Sequence, residues 1–123
     1  VSPPGLQLPP ALLAELRAQG ANLVVAPFED ALGTADVVYV TRIQKERFLD
    51  LTQYETVRGS YRLTAETVRR LAPTATVMHP LPRVDEIAPD VDALPNAAYF
   101  RQAGNGVPVR MALLALLLGA VPW

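Results

Sequence analysis

Two short apolar runs, Val37-Val38-Tyr39-Val40 and Ala75-Thr76-Val77-Met78, each stop at a segment that cannot continue a strand. The first runs into Thr41-Arg42-Ile43-Gln44-Lys45-Glu46-Arg47, the second into His79-Pro80-Leu81-Pro82-Arg83-Val84-Asp85-Glu86. Continuous apolar runs of this length read as buried strands. Helical patterns fall before, between and after them, and that alternation predicts an α/β fold with a parallel sheet and right-handed crossovers. Ligands of open parallel sheets collect just beyond the carboxyl ends of the strands. Both segments therefore belong at one rim.

Elsewhere the chain punctuates itself with proline and glycine. Pro9 and Pro10 suit the first turn of a helix continuing over residues 11–19, with Leu12, Leu13 and Leu16 on one face and Gly20 as its stop. Residues 22–26 read as a third strand ended by Pro27, and 28–32 as a short helix. The polar stretch 41–63 is too long for an ordinary connector and reads as a functional loop. Thr64 is placed to cap a helix over 65–71 that Pro73 closes. A helix is expected over 96–103, broken by Gly104-Asn105-Gly106, and a last one from Val107-Pro108 to Leu118 with Gly119 as its stop. The last helix is apolar on almost every side, a pattern that asks for burial all round. Three strands cannot supply it. With a start at Val1 rather than methionine, this suggests a piece of a longer protein.

At 123 residues there is room for one core, and half the residues are hydrophobic with a formal net charge of −1. That balance gives no footprint for nucleic acid. The longest apolar stretch, 111–118, is far too short to span a bilayer, and no leader pattern opens the chain. Absence of cysteine excludes disulfides, thiolate metal sites and a cysteine nucleophile. It is compatible with a reducing cytoplasm, the expected compartment. No metal site can be drawn from one histidine and scattered carboxylates. Gly104-Asn105-Gly106 lacks the spacing and preceding strand of a phosphate loop.

The rim segments carry the candidate chemistry. Arg42, Lys45 and Arg47 crowd three cations around Glu46, with Gln44 as a neutral donor. A small dicarboxylate calls for a planar guanidinium fork with neighbours that set its orientation; a solvated loop is the other reading. Pro80 and Pro82 remove two backbone donors, which frees carbonyls between them to accept from a ligand. Leu81-Pro82 is the better candidate for a cis bond; a simple strand-ending turn is the alternative. His79, the single histidine, has no relay partner at useful spacing and reads as structural, bonded to backbone. Asp85 and Glu86 are placed to orient Arg83, Arg42 or Tyr54 rather than to move protons.

TRIQKERF (41–48), HPLPRVDEIAPDVD (79–92) and AAYFRQAGNGVPVRMALLALLLG (97–119), in that order, resemble the carboxyl-terminal part of the aspartate carbamoyltransferases. The similarity runs almost end to end. It implies a partial, Rossmann-like three-layer aspartate-binding domain over residues 1–106 and an interdomain helix over 107–123 that returns to a missing carbamoyl-phosphate domain. It further implies that Arg42 grips an aspartate carboxylate with help from Gln44. The carbonyls of Leu81 and Pro82, across a cis bond, would hold the carbamoyl amino group. Glu46, Arg47, Tyr54 and Asp85 would tie the long loop to the rim when substrates bind, with Arg83 in support. The implied reaction joins L-aspartate to the carbamoyl group of carbamoyl phosphate, without metal or organic cofactor, in a homotrimeric parent of pyrimidine synthesis. The family's phosphate loop, its functional histidine, its second aspartate-binding arginine and the residues lent by a neighbouring subunit all belong upstream of Val1. The piece alone is therefore expected to be inactive.

Two rivals stand beside this reading. Ornithine carbamoyltransferase shares fold and first substrate, but its proline turn usually carries cysteine where Pro80 stands, and its Ser-Met-Gly element is not visible. A non-catalytic interaction module derived from the same fold would use the apolar last helix to dock a partner. A dinucleotide-binding domain is a poorer choice, because the glycine fingerprint is missing.

Overall fold

The computed structural model describes residues 1–120 of the chain. In chain order it contains α1 (Pro10–Ala18), α2 (Phe28–Leu32), β1 (Val37–Tyr39), a 3-10 turn at Lys45–Arg47, α3 (Leu51–Val57), α4 (Ala65–Val68), β2 (Thr76–Met78), a 3-10 turn at Pro89–Val91 and α5 (Tyr99–Leu117). The two strands are parallel, with Val37 opposite Thr76, Val38 opposite Val77 and Tyr39 opposite Met78. The ladder extends one step at each end, from the Thr76 amide to the Asp36 carbonyl and from the Val40 amide to the Met78 carbonyl, both at 2.9 Å. On its other edge Val77 donates to the Asn96 carbonyl (2.8 Å) and accepts from the Ala98 amide (2.9 Å). β2 is thus central and β1 lies at the edge, with Val37 and Tyr39 exposed.

The core gathers Leu32, Val40, Leu63, Val68, Leu71, Ala75, Val77, Ile87, Val91 and Tyr99 around β2. Local chemistry sets the element ends. The Thr64 hydroxyl accepts the Thr67 amide while the Thr67 hydroxyl accepts the Thr64 amide (3.3 and 2.7 Å), a reciprocal box that starts α4. Asp50 caps α3 by accepting the Thr52 amide at 2.8 Å. α1 stops where Gly20 turns left-handed (φ 88°); the Gly20 amide returns to the Arg17 carbonyl and the Ala21 amide to the Leu16 carbonyl.

Five expectations from the sequence are corrected. The run that forms β1 is not a buried strand, since Val37 and Tyr39 are exposed at the sheet edge. Residues 22–26 form no strand: the Leu23 carbonyl accepts from the Arg17 guanidinium at 3.0 Å, and no ladder partner lies alongside among the described residues. The sheet accordingly has two strands rather than three. The stretch 41–63 is not one loop, since Asp50 nucleates α3 inside it. Gly104-Asn105-Gly106 does not break the last helix either; α5 runs unbroken through it and through Pro108. Interior penalties of about 1 kcal/mol per glycine and about 3 kcal/mol for proline do not end a helix flanked on both sides by strong helix formers. The expected boundary between 106 and 107 therefore falls inside α5, and residues 121–123 of the expected interdomain helix lie outside the described residues.

α5 is anchored at its start by buried Tyr99. Beyond that anchor it stands clear of the core: Met111 is 65% and Leu117 71% exposed, with Val107, Val109, Leu113 and Leu114 also exposed.

Candidate functional site

Arg42 and Leu81 each stand three residues beyond the paired Tyr39 and Met78, so the parallel register delivers both to the carboxyl edge of the sheet. A hollow of about 320 Å³ opens there, lined by Arg42, Ile43, Lys45, Glu46, Tyr54, Arg58, Gly59, Tyr61, Val84, Asp85 and Glu86. The charged segment after β1 supplies one wall and the segment after the proline turn the other. A second hollow, about 230 Å³, lies along α2 and β1 and is lined by apolar side chains, two tyrosines and Thr41, without a charged side chain.

Arg42 is partly buried (35% exposed) and its guanidinium meets the Glu46 carboxylate at 2.5 Å. A pair this accessible adds little stability; its effect is to hold the fork over the hollow. The backbone amide of Glu46, then the charges of Arg42 and Arg47, hold the Glu46 carboxyl below its ordinary value, so it stays an anion. Lys45 lies 5.8 Å from the centroid of the Tyr54 ring, which Phe48 also meets edge-on at 5.7 Å. These contacts fold the 3-10 turn onto α3. The Gln44 carbonyl accepts the Arg47 amide at 3.0 Å and closes the same turn.

In the proline turn that leads into the opposite wall, the Leu81-Pro82 bond is cis, and Leu81 has a φ of 49°. A leucine in the left-handed region costs on the order of 1–3 kcal/mol and persists only when its surroundings over-determine it. Here they do. The Leu81 amide donates to His79 Nδ1 at 2.8 Å, and the His79 Nε2–H donates to Glu86 Oε1 at 2.7 Å. The Glu86 carboxylate also accepts the amides of Val84 (3.2 Å) and Asp85 (3.1 Å). His79 is 1% and Glu86 6% exposed, and among the described residues no buried side-chain polar atom lacks a partner.

The structure brings Arg42, Glu46, Tyr54 and Asp85 to one hollow, while Gln44, Arg47, Leu81, Pro82 and Arg83 do not line it. Asp85 meets Arg58 (3.6 Å) rather than the Arg83, Arg42 or Tyr54 expected from the sequence. Glu86 turns to His79 instead of a rim arginine. His79 is buried and bonds to backbone at one ring nitrogen, as expected, while a side chain, Glu86, answers the other. Arg83 binds the Asp92 carboxylate through both terminal nitrogens, one at 2.7 Å, and lies 5.6 Å from the Tyr99 ring centroid.

Sequence reasoning missed Arg58 and Tyr61. Arg58 follows α3 and lies outside any motif; Glu55, then Tyr54 and Asp85, raise its guanidinium above the ordinary value. Burial, then the Glu86 charge, raises the Tyr61 phenol. Only the close approach of α3 to the segment after the proline turn reveals either residue. Among the described residues no group of three or more histidine, aspartate or glutamate side chains could hold a metal ion, and no helix is long and apolar enough to cross a membrane.

Residues 1–117 match the family model described as aspartate/ornithine carbamoyltransferase, Asp/Orn binding domain. The chain is 51% identical over 120 residues to the aspartate carbamoyltransferase catalytic subunit of Methanocella arvoryzae, covering 97% of this chain and 39% of that subunit. It is 55% identical over 121 residues to the corresponding subunit of Hyperthermus butylicus, covering 97% and 38%. The catalytic subunit of M. jannaschii aspartate transcarbamoylase superposes with a TM-score of 0.74 at 47% identity, covering 93% of this chain and 37% of that one. The Trypanosoma cruzi enzyme in complex with carbamoyl phosphate and aspartate gives 0.75 at 35% identity, covering 93% and 39%. The chain spans about two fifths of the length of the curated relatives it matches.

Proposed function

The chain belongs to the aspartate/ornithine carbamoyltransferase family, whose Asp/Orn-binding domain it matches over residues 1–117, and from that premise we propose that it supplies the amino-acid half of an aspartate carbamoyltransferase site. The observation that carries this reading is the pairing of a guanidinium fork, held by Glu46 at 2.5 Å, with a proline turn at the same sheet edge. Arg42 takes an aspartate carboxylate in a planar, charge-assisted pair. Gln44 offers a neutral donor beside it. The Leu81 and Pro82 carbonyls accept from the carbamoyl amino group, which no backbone donor at Pro80 or Pro82 competes for.

In the proposed reaction the aspartate nitrogen attacks the carbamoyl carbon, a C–N bond forms, the C–O bond to phosphate breaks, and the nitrogen loses a proton. Catalysis consists of positioning and charge stabilisation, without a covalent enzyme intermediate. Glu46, Arg47, Tyr54 and Asp85 tie the segment after β1 to the rim, and Arg83 braces the turn against Asp92. The carbamoyl-phosphate half comes from a partner domain against which the exposed length of α5 packs, while the residues before α5 form the aspartate-binding part. The assembled enzyme is a cytoplasmic homotrimer of pyrimidine synthesis.

Arg42 with Gln44 favours an anionic second substrate over ornithine. The test joins this chain to the upstream part of the Methanocella arvoryzae subunit in place of its own matched segment. The fused enzyme is expected to form N-carbamoyl-L-aspartate from carbamoyl phosphate and L-aspartate and to leave L-ornithine unused. Use of ornithine, or a folded fusion inert towards aspartate, would overturn the reading.

A further inference from the structure

Between Pro80 and Pro82 the chain has a single main-chain donor, the Leu81 amide, and a side chain takes it: His79 Nδ1, at 2.8 Å. The opposite nitrogen of the same ring donates to Glu86, whose carboxylate accepts the Val84 and Asp85 amides on the far side of the turn. One imidazole and one carboxylate thus stitch both flanks of the Leu81-Pro82 carbonyls. The ring itself is tied down through its backbone. The His79 amide donates to Gln102 Oε1 at 3.0 Å, and Gln102 Nε2 donates to the Tyr39 hydroxyl at 3.2 Å, linking the ends of β2 and β1 through α5. Glu86 also lines the hollow that holds Arg42.

We propose that His79 and Glu86 are positioning residues for carbamoyl transfer, aiming the Leu81 and Pro82 carbonyls without touching substrate. The ring works in one tautomer, Nε2 protonated and Nδ1 open, because Nδ1 must accept. The carboxylate selects that tautomer by accepting at Nε2. A turn with few backbone donors has little else to fix it, and a misaimed carbonyl lowers rate more than affinity.

The inference rests on the substrate reading above, and the fused enzyme separates the two. His79→Leu keeps apolar bulk but loses both hydrogen bonds. It is expected to lower kcat by about 10- to 100-fold, to leave the aspartate KM unmoved, and to speed hydrogen–deuterium exchange across residues 79–86. His79→Asn, whose side-chain oxygen can accept the Leu81 amide, is expected to regain most of the lost kcat and protection. Glu86→Gln, which keeps shape but loses one acceptor, should fall between them. Equal kcat in all four folded enzymes, or an Asn variant as slow as the Leu variant, would overturn the positioning role. An aspartate KM that Arg42→Ala does not raise would strike the substrate reading itself and the carbamoyl role of the turn with it. A raised aspartate KM in Arg42→Ala beside silent His79 variants would overturn only the inference.

Discussion

Tyr99 has its hydroxyl between two charges: it donates to Asp92 and accepts from Arg83 at 3.3 Å. Burial first, and the neighbouring carboxylate second, push the Tyr99 phenol up to about 12. Its neutral form is the favoured one in the fold, so its contribution to stability is complete below the ordinary tyrosine value, about 10. That contribution is lost as pH rises through about 12. Asp92 has the opposite sign. The Arg83 guanidinium holds its carboxyl below the ordinary range, so its contribution is present above about 3.9 and disappears as pH falls through the lowered value. Urea midpoints measured against pH are expected to drop between pH 10 and 12 in the wild-type chain and to drop less in Tyr99→Phe. Identical alkaline limbs would contradict this. None of the network was legible in the sequence, because Arg83 after the proline turn, Asp92 after the second 3-10 turn and Tyr99 at the start of α5 meet only in the packed fold. The Arg42 segment was legible, because a crowd of cations after an apolar run is a local pattern.

Elements started and stopped by a local chemical signal were legible; those decided by a partner were not. Thr64 announces α4 through its hydroxyl, and Thr64→Ala is expected to cost about 1 kcal/mol in urea unfolding through loss of the cap. Residues 22–26 carry good strand residues, yet a strand exists only where another offers a ladder, and none does among the described residues. In α5, glycine and proline signals pointed to a break, and helix propagation from both flanks prevailed. A side chain at Gly104 would meet nothing within 4 Å. Gly104→Ala is therefore expected to stabilise the chain by about 0.5–1 kcal/mol in thermal unfolding. A destabilising effect would mean that the position is not helical.

At the scale of the molecule, the parallel pairing of β1 with β2 places the Arg42 segment and a donor-poor turn at one edge, and α5 presents a long apolar surface that nothing covers among the described residues. Exposed apolar area of that extent marks an interaction surface. The unfused chain is accordingly expected to bind a hydrophobic dye or to associate, and the fused enzyme to do neither; a dye-negative monomer would contradict the assignment of α5 to a domain interface. This surface was legible in the sequence because a helix without a polar face shows in the residues alone. The hollow between the segment after β1 and the segment after the turn was not, since Arg58 and Tyr61 enter it only through the packing of α3. The central claim is that the Arg42 fork receives an aspartate carboxylate, and aspartate saturation of Arg42→Ala in the fused enzyme tests it most directly. Loss of a charge-assisted pair worth about 1.5–3 kcal/mol predicts a roughly 10- to 150-fold rise in the half-saturating aspartate concentration, with carbamoyl phosphate dependence unchanged. An aspartate curve superimposable on that of the wild type would contradict it.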